Sequence, residues 1–461
     1  MNKITIIFLG MFMLADAALF AGSLDYVSNQ SAKWMMTTSR NASTDGADII
    51  AYNPAGTAYL SRGLHVDLSG QTLLLHYRNK DVLVGNFSNL AAPLSPLLSR
   101  PAETLSQNNP SPIVPNMYLA YSLGKTGPGK LAAYFQAGVV AGGGELKYGN
   151  GTAGTGFLLT GLSAGSGGAL GSINSQGFSS SSMYFGIGGG ASYAFLNDAV
   201  SVSLGGRAVM AKRNFEFTAA YSSTEAFNGK YEYDAAGFTP IIGVNVKPKK
   251  DLTLAARFEA PTRLEFKYKQ KELDGTLAAV AAEVLKSAGI EDGKNTRQDL
   301  PFIIGLGASY NINGKATVDL SGTFYMLSSA DLGNVYDNGD KVGNVSDYFG
   351  VGWEVGLGTV YKARENLKIG AGAMYTESGA EETYLNDPRT ALISSANPML
   401  DSVTLGSGAI YTVRRNMDIT LSFLWCHFFP ENFSLDSGAF KVSGGYAKNV
   451  FGIGYGMSYR F

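Results

Sequence analysis

The last ten residues alternate without a break. Ile453, Tyr455, Met457, Tyr459 and Phe461 fall on one side of an extended chain, and Gly452, Gly454, Gly456, Ser458 and Arg460 fall on the other. Only a strand has a side-chain period of two. One face is large and apolar, the other small or polar, and the run has the length, about ten residues, with which a tilted strand crosses a hydrocarbon layer. Lipid offers no partner for a backbone N–H or C=O, so such a strand must belong to a closed sheet. The chain is therefore expected to fold as an all-β, transmembrane antiparallel barrel.

The opposite end of the chain agrees. Met1-Asn2-Lys3 is a positive start, Ile4 to Leu14 is apolar, and Ala15-Asp16-Ala17 or Ala21 offers a small-residue cleavage point. Residues 1–21 are read as an export signal, with Gly22 as the mature N-terminus. After it, no run reaches the roughly eighteen apolar residues of a spanning helix. The 461 residues include 58 Gly, 25 Tyr and 25 Phe with 16% charged residues, which favours one large barrel over several soluble domains. A net charge of -1 gives no sign of a nucleic-acid partner. The single Cys426 cannot form an internal disulfide and reads as a small buried or lipid-facing residue.

Alternating segments bounded by turn residues predict about fourteen strands. They run over Gly63 to Tyr77, Asn116 to Leu123, Lys130 to Ala141, Met183 to Phe195, Ala199 to Phe217, Phe238 to Lys247 and Leu252 to Lys269. The remainder are Pro301 to Asn311, Ala316 to Leu327, Val351 to Tyr361, Leu367 to Thr376, Val403 to Val413, Met417 to Phe428 and Asn449 to Phe461. Short connections such as Leu196-Asn197-Asp198 and Ile312-Asn313-Gly314-Lys315 alternate with long ones such as Gly142 to Ser182, Thr218 to Gly237 and Gln270 to Leu300. Short inner turns, long outer loops and an even strand count are what outer-membrane barrels require.

Parity assigns the faces. In Leu252 to Glu259, Leu252, Leu254, Ala256 and Phe258 face lipid, and Thr253, Arg257 and Glu259 face the lumen. The same reading turns Arg207, Arg213, Asp319, Glu354, Lys368, Asp418 and His65 inward, where wall ion pairs or hydrogen bonds are their ordinary use and a ligand contact is the functional one. Gly138 and Gly142-Gly143-Gly144 interrupt the third strand and mark either a flexible loop entry or a kink that opens the wall. Asp274 to Gly289 has helical spacing in a long outer loop, with Leu277, Val280, Ala281, Val284 and Leu285 on its apolar face.

Residues 22–62 are not strand-like, and Tyr52-Asn53-Pro54-Ala55-Gly56 is a turn cluster. The lumen of a fourteen-stranded barrel needs water or a plug, and this segment is read as a plug ahead of a barrel over 63–461. Asn53-Pro54-Ala55-Gly56, followed by Val114-Pro115-Asn116-Met117 opening the second strand, closely resembles the long-chain fatty acid transporter family of Gram-negative outer membranes, the FadL/TodX type. Val202 to Ala208, Leu300-Pro301, Trp353 to Tyr361 with Leu367 to Tyr375, and the Ser-Tyr-Arg-Phe ending follow in order, over nearly the whole mature chain.

The resemblance implies a monomeric barrel closed by an N-terminal hatch that carries the Asn53 to Gly56 turn. Hydrophobic molecules, most expectedly long-chain fatty acids or other lipids, would be caught between outer loops and pass to a luminal pocket beside Gly22. They would leave into outer-membrane lipid through a wall gap near Gly138 or Gly142. Arg213 stands in a similar basic stretch and is the candidate carboxylate contact. The outer loops depart from the family in length and composition, notably Gly142 to Ser182. Phe461 is the expected signal to the barrel assembly machinery. No cofactor, metal or catalytic residue is expected: His65, His76 and His427 are scattered, and Gly186-Ile187-Gly188-Gly189-Gly190 lacks the following helix of a nucleotide site. Uptake of aromatic hydrocarbons, a general diffusion porin and a surface adhesin are the alternatives.

Overall fold

The computed structural model describes residues 30–85, 87, 94–287, 289–337 and 339–461. The export signal and Gly22 lie outside the described residues. Fourteen strands form the wall: β1 Gly63–Gly85, β2 Val114–Thr126, β3 Gly129–Tyr148, β4 Ile173–Phe195, β5 Val200–Tyr221, β6 Ala226–Lys249, β7 Leu252–Glu259, β8 Phe302–Ile312, β9 Ala316–Met326, β10 Val351–Arg364, β11 Leu367–Glu377, β12 Ser402–Arg414, β13 Met417–Phe428 and β14 Lys441–Arg460. Each pairs antiparallel with its sequence neighbour, and the ring closes where β14 meets β1, from His65 opposite Arg460 to Gly85 opposite Lys441. The count and antiparallel order match the sequence expectation. Turns on one side are tight; at Asn313-Gly314 both residues have positive φ, 52° and 67°, the conformation that an Asn-Gly hairpin supplies.

The expected facing holds. Leu254 and Phe258 are exposed, whereas Thr253, Arg257 and Glu259 are buried, as are Arg207, Arg213, Asp319 and His65. Leu204, Phe238 and Leu357 contribute to an apolar outer belt, which is the lipid face. His65 Nε2 lies 2.8 Å from the Ser61 carbonyl oxygen, and Cys426 is buried and takes part in no disulfide among the described residues.

Two sequence expectations are corrected. Leu252 to Lys269 is not one strand: β7 ends at Glu259, because Pro261 has no N–H to donate to a ladder. Thr262 instead bridges Leu300, and Glu265–Asp274 forms a separate strand paired with the outer half of β6. Thr218 to Gly237 is not an open loop, because β5 runs on to Tyr221 and β6 starts at Ala226. β1 and β4, with 23 residues each, and β6, with 24, far exceed the roughly ten of a crossing, so their outer halves stand above the lipid belt.

Inside the ring lies the segment that precedes β1. Ser31 caps helix α1 (Ala32–Thr37) by accepting from Trp34 N, and every residue of α1 is buried. The helix packs on β11, β12, β13 and β14. Its backbone can approach because the wall there is glycine: a Cβ at Gly358 or Gly372 would overlap the Thr37 carbonyl, and one at Gly406 the Met35 carbonyl. Large residues at these positions would push the plug off. Gly372→Val is expected to leave the barrel intact, seen as heat-modifiable gel migration. It should cost plug docking about 1–3 kcal/mol, so that trypsin cleaves at Lys33 or Arg40; a protected N-terminal segment would contradict this.

Candidate functional site: plug, lumen and wall gap

The plug is cross-linked by buried charges. Ser31 Oγ donates to Asp48 at 2.8 Å, and Arg40 grips Asp48 with Nε at 3.1 Å and Nη2 at 2.7 Å. Lys33 Nζ stands 3.6 Å from Asp48 and 3.3 Å from Asp67 on β1, which ties the plug to the wall. Burial alone would lower the Lys33 pKa, but Asp48, Asp67 and Asp45 hold it above its ordinary value, so the ammonium stays charged.

The Asn53 to Gly56 turn makes the second attachment. Asn53 Oδ1 accepts from Ala55 N at 3.1 Å, capping the short 3-10 helix Pro54–Tyr59, and Pro54 occupies its first position. The same side chain donates through Nδ2 to Asn245 Oδ1 at 2.6 Å and to the Val244 carbonyl at 3.1 Å, both on β6. Ser201 donates to the Ala55 carbonyl at 2.9 Å, and Thr57 Oγ1 is 2.7 Å from Ser192 Oγ. Gly56 is hemmed in, since a Cβ would stand 3.0 Å from both Ile49 and the Ser43 carbonyl.

Above this turn, two arginines share one carboxylate. Arg207 on β5 donates to Glu259 on β7 through Nη1 at 3.3 Å and Nη2 at 2.9 Å. Arg257 also donates to Glu259, and to the carbonyls of Ala51 and Tyr52 on the plug. They line a cavity of about 650 Å³, counted with its mouth, whose other wall includes Ala137, Gly138 and Val139 of β3.

Beyond Gly138 the wall changes. The β2–β3 ladder ends at Asn116 opposite Gly138. β1 leaves β2 in turn, because Val114 is its last partner there and from Tyr77 its partner is the strand Arg100–Gln107. Among the described residues, no ladder joins that strand to the outer half of β3. On its other side β3 slips register against β4 twice, between Val139 and Ala141 and between Gly142 and Gly144. Gly142 and Gly143 have φ of 70° and 97°, conformations that favour glycine. A second cavity, of about 670 Å³ with its mouth, lies against Gly142-Gly143-Gly144, with Leu73, Leu75 and Tyr184 among its lining. Of the two expected glycines, Gly142 is therefore at a bulge and Gly138 at the end of a ladder, in normal register with β4.

The outer end is roofed by loop elements. Helix α2 (Ala153–Gly165) opens with a Thr152–Thr155 capping box, which a purely Gly/Ser-rich reading of Gly142 to Ser182 misses; Phe157-Leu158-Leu159 was its signal. Helix α3 (Ala278–Ser287) buries Leu277, Ala281, Val284 and Leu285, the apolar face expected from its spacing. Between α2 and α3 lies an apolar groove of about 500 Å³ lined by Leu158, Leu159, Leu162, Phe217 and Phe227. Arg213 is buried lower down, donating to Gln298, with its guanidinium carbon 5.9 Å and 5.6 Å from the ring centroids of Tyr233 and Phe266.

No family model matches the sequence, and no curated protein does. Solved structures do match in fold. A FadL homologue of Pseudomonas aeruginosa has a TM-score of 0.66 at 13% identity, over 94% of this chain and 98% of that one. The toluene transporter TbuX of Ralstonia pickettii scores 0.56 at 13% identity, over 95% and 100%. The toluene transporter TodX of Pseudomonas putida scores 0.56 at 13% identity, over 94% and 98%. The chain is thus a fourteen-stranded transmembrane barrel with an N-terminal plug. Its fold is that of the FadL/TodX type.

Asn53→Ala removes one cap and the donations to β6, a loss of about 1–3 kcal/mol of plug attachment. Channel current in planar bilayers is expected to rise above the wild-type level while barrel insertion stays normal. A current unchanged from wild type would show that this turn does not hold the plug.

Proposed function

We propose that the protein is an uptake channel of the Gram-negative outer membrane for hydrophobic molecules, long-chain fatty acids foremost. The apolar groove between α2 and α3 captures them, the luminal cavities receive them, and the break beside β3 releases them sideways into the bilayer. The observation that carries this reading is the wall break between Gly138 and Gly144, with a cavity on each stretch of β3 that borders it, above a lumen blocked by a bonded plug. A path that ends in lipid spares an apolar solute the passage through water. Each buried CH2 contributes about 0.8 kcal/mol, so acyl chains bind tightly with few polar contacts.

Fold relatives support an apolar cargo: one is a FadL homologue and others are toluene transporters. Uptake of aromatic hydrocarbons by the same route is the second reading, favoured by the mostly apolar lining of the groove. A diffusion porin needs an open, charged constriction, and here the plug occupies the lumen. In this reading Gly22 to Arg62 is the hatch, and Phe461 is the mark for barrel assembly.

The test is uptake of labelled oleate and of labelled toluene by Gram-negative cells lacking their own transporter, with and without this protein. Restored uptake of either supports the channel, and no uptake of either despite correct insertion overturns it. Gly142→Val forces a β-branched residue into positive φ, a strain of about 1–3 kcal/mol that disfavours the bulge. It is expected to cut uptake by about tenfold, which corresponds to 1.4 kcal/mol, with surface level unchanged. Full uptake by this variant would place the exit elsewhere.

A further inference from the structure

The wall break has two lips. β3 forms one, with its two register slips at glycine. Residues 107–114, which join the strand Arg100–Gln107 to β2, form the other. Distance does not keep these lips apart: a Cβ at Gly143 would stand 3.2 Å from the Val114 side chain, and one at Gly144 would stand 3.9 Å from Ser111 Cβ. Strand edges this close ordinarily zip, because an open edge is a template for hydrogen bonds and an unmet backbone group in lipid is costly.

The second lip is bonded to β1. Ser111 N donates to the Leu73 carbonyl at 2.7 Å, Leu73 N donates to Ser111 Oγ at 2.8 Å, and Pro110 stands opposite Leu74. In an extended chain the N–H and C=O of one residue point to one edge, and those of its neighbours point to the other. With Ser111 aimed at β1, residues 110 and 112 are the ones whose N–H groups would aim at β3. Both are proline, which has none. A third proline, Pro115, directly precedes Asn116, where the β2–β3 ladder ends opposite Gly138. A turn would be served by any one proline. A spacing of two removes the donors of one edge and keeps the Ser111 donor on the other, which is what a strand needs if it is to pair on one side only.

We propose that Pro110 and Pro112 are positioning residues of the exit, which keep the wall from zipping shut by withholding from β3 the two donors that would face it. The bulges at Gly142 and Gly143 act on the opposite lip, where they deny a partner a regular register. The proposal rests on the uptake reading and adds to it a second, independent set of residues, on the lip that β3 does not supply. It also gives the segment ahead of β2 a role that its irregular backbone conceals.

The experiment restores both donors with the double substitution Pro110→Val and Pro112→Val in the full-length protein. Amide hydrogen exchange over residues 138–146 is read by mass spectrometry on the purified protein in detergent, and uptake of labelled oleate is read in cells lacking their own transporter. Exchange is expected to slow by about tenfold as the lips pair, the scale of one net backbone hydrogen bond. Uptake is expected to fall by a similar factor, with surface level and heat-modifiable migration unchanged. A merely structural role for the prolines would leave exchange in β3 as it was or speed it. If the double variant fails to insert, Pro112→Ala, which returns a single N–H, is judged by the same exchange. Exchange that is unchanged or faster in an inserted variant overturns the proposal, whatever uptake does, and leaves the uptake reading standing. Slower exchange with full uptake upholds the role of the prolines and overturns the reading of this gap as the exit.

Discussion

A strand in lipid must have a hydrogen-bonded neighbour on each side, and everything else in this molecule is organised around meeting that demand. The ladder between β1 and β14 meets it for the two ends of the sheet, by pairing the first wall strand with the last. Where the demand is relaxed, the exception is local. The break between β2 and β3 begins only at Gly138, and the strand Arg100–Gln107 takes over the free edge of β1 from Tyr77. Among the described residues each other pair of neighbouring wall strands is joined by a ladder, so this one interruption is meaningful: there the lumen is bounded without one.

The plug is held in two different ways. Toward β11 to β14 it is close-packed, main chain against glycine, with Met35, Met36 and Thr37 filling the space that absent side chains leave. Toward β4 to β7 it is held by polar side chains: Asn53 to Asn245, Thr57 to Ser192, and Arg257 to the carbonyls of Ala51 and Tyr52. Packing of the first kind is lost abruptly with distance, whereas hydrogen bonds of the second kind can be exchanged for water or for a ligand. The cavity that carries Arg207 and Arg257 lies on the exchangeable side.

Much of this was legible in the residues. The alternation of Ile453 to Phe461 implied the barrel, the fourteen segments implied its size, and parity turned Arg207, Arg257 and Glu259 inward. The outer halves of the strands were not legible, because the sign of the alternation reverses at the edge of the lipid. Along β5 the outward residues pass from Leu204 and Met210 to Lys212 and Glu216, while the inward ones pass from Ser201 and Ser203 to Phe215 and Phe217. A search for apolar-outward strands stops there. The sharing of Glu259 was out of reach for another reason: Arg207 and Glu259 lie 52 residues apart, on strands separated by β6, and parity says which way a side chain turns but not which one it meets. Arg213 was singled out by its stretch, and its partner Gln298 lies in a loop whose path the sequence does not reveal.

The plug precedes the wall in sequence, yet α1 rests against β11 to β14, the last four of the described wall strands. These contacts span more than three hundred residues, so they cannot form until β11 to β14 have been made. Sequence separation of this kind slows folding. The first helix thus has no docking surface until that part of the wall exists. A chain cut short before β11 would lack the surface its own first helix docks on, which makes the filled lumen a check that the wall has been finished.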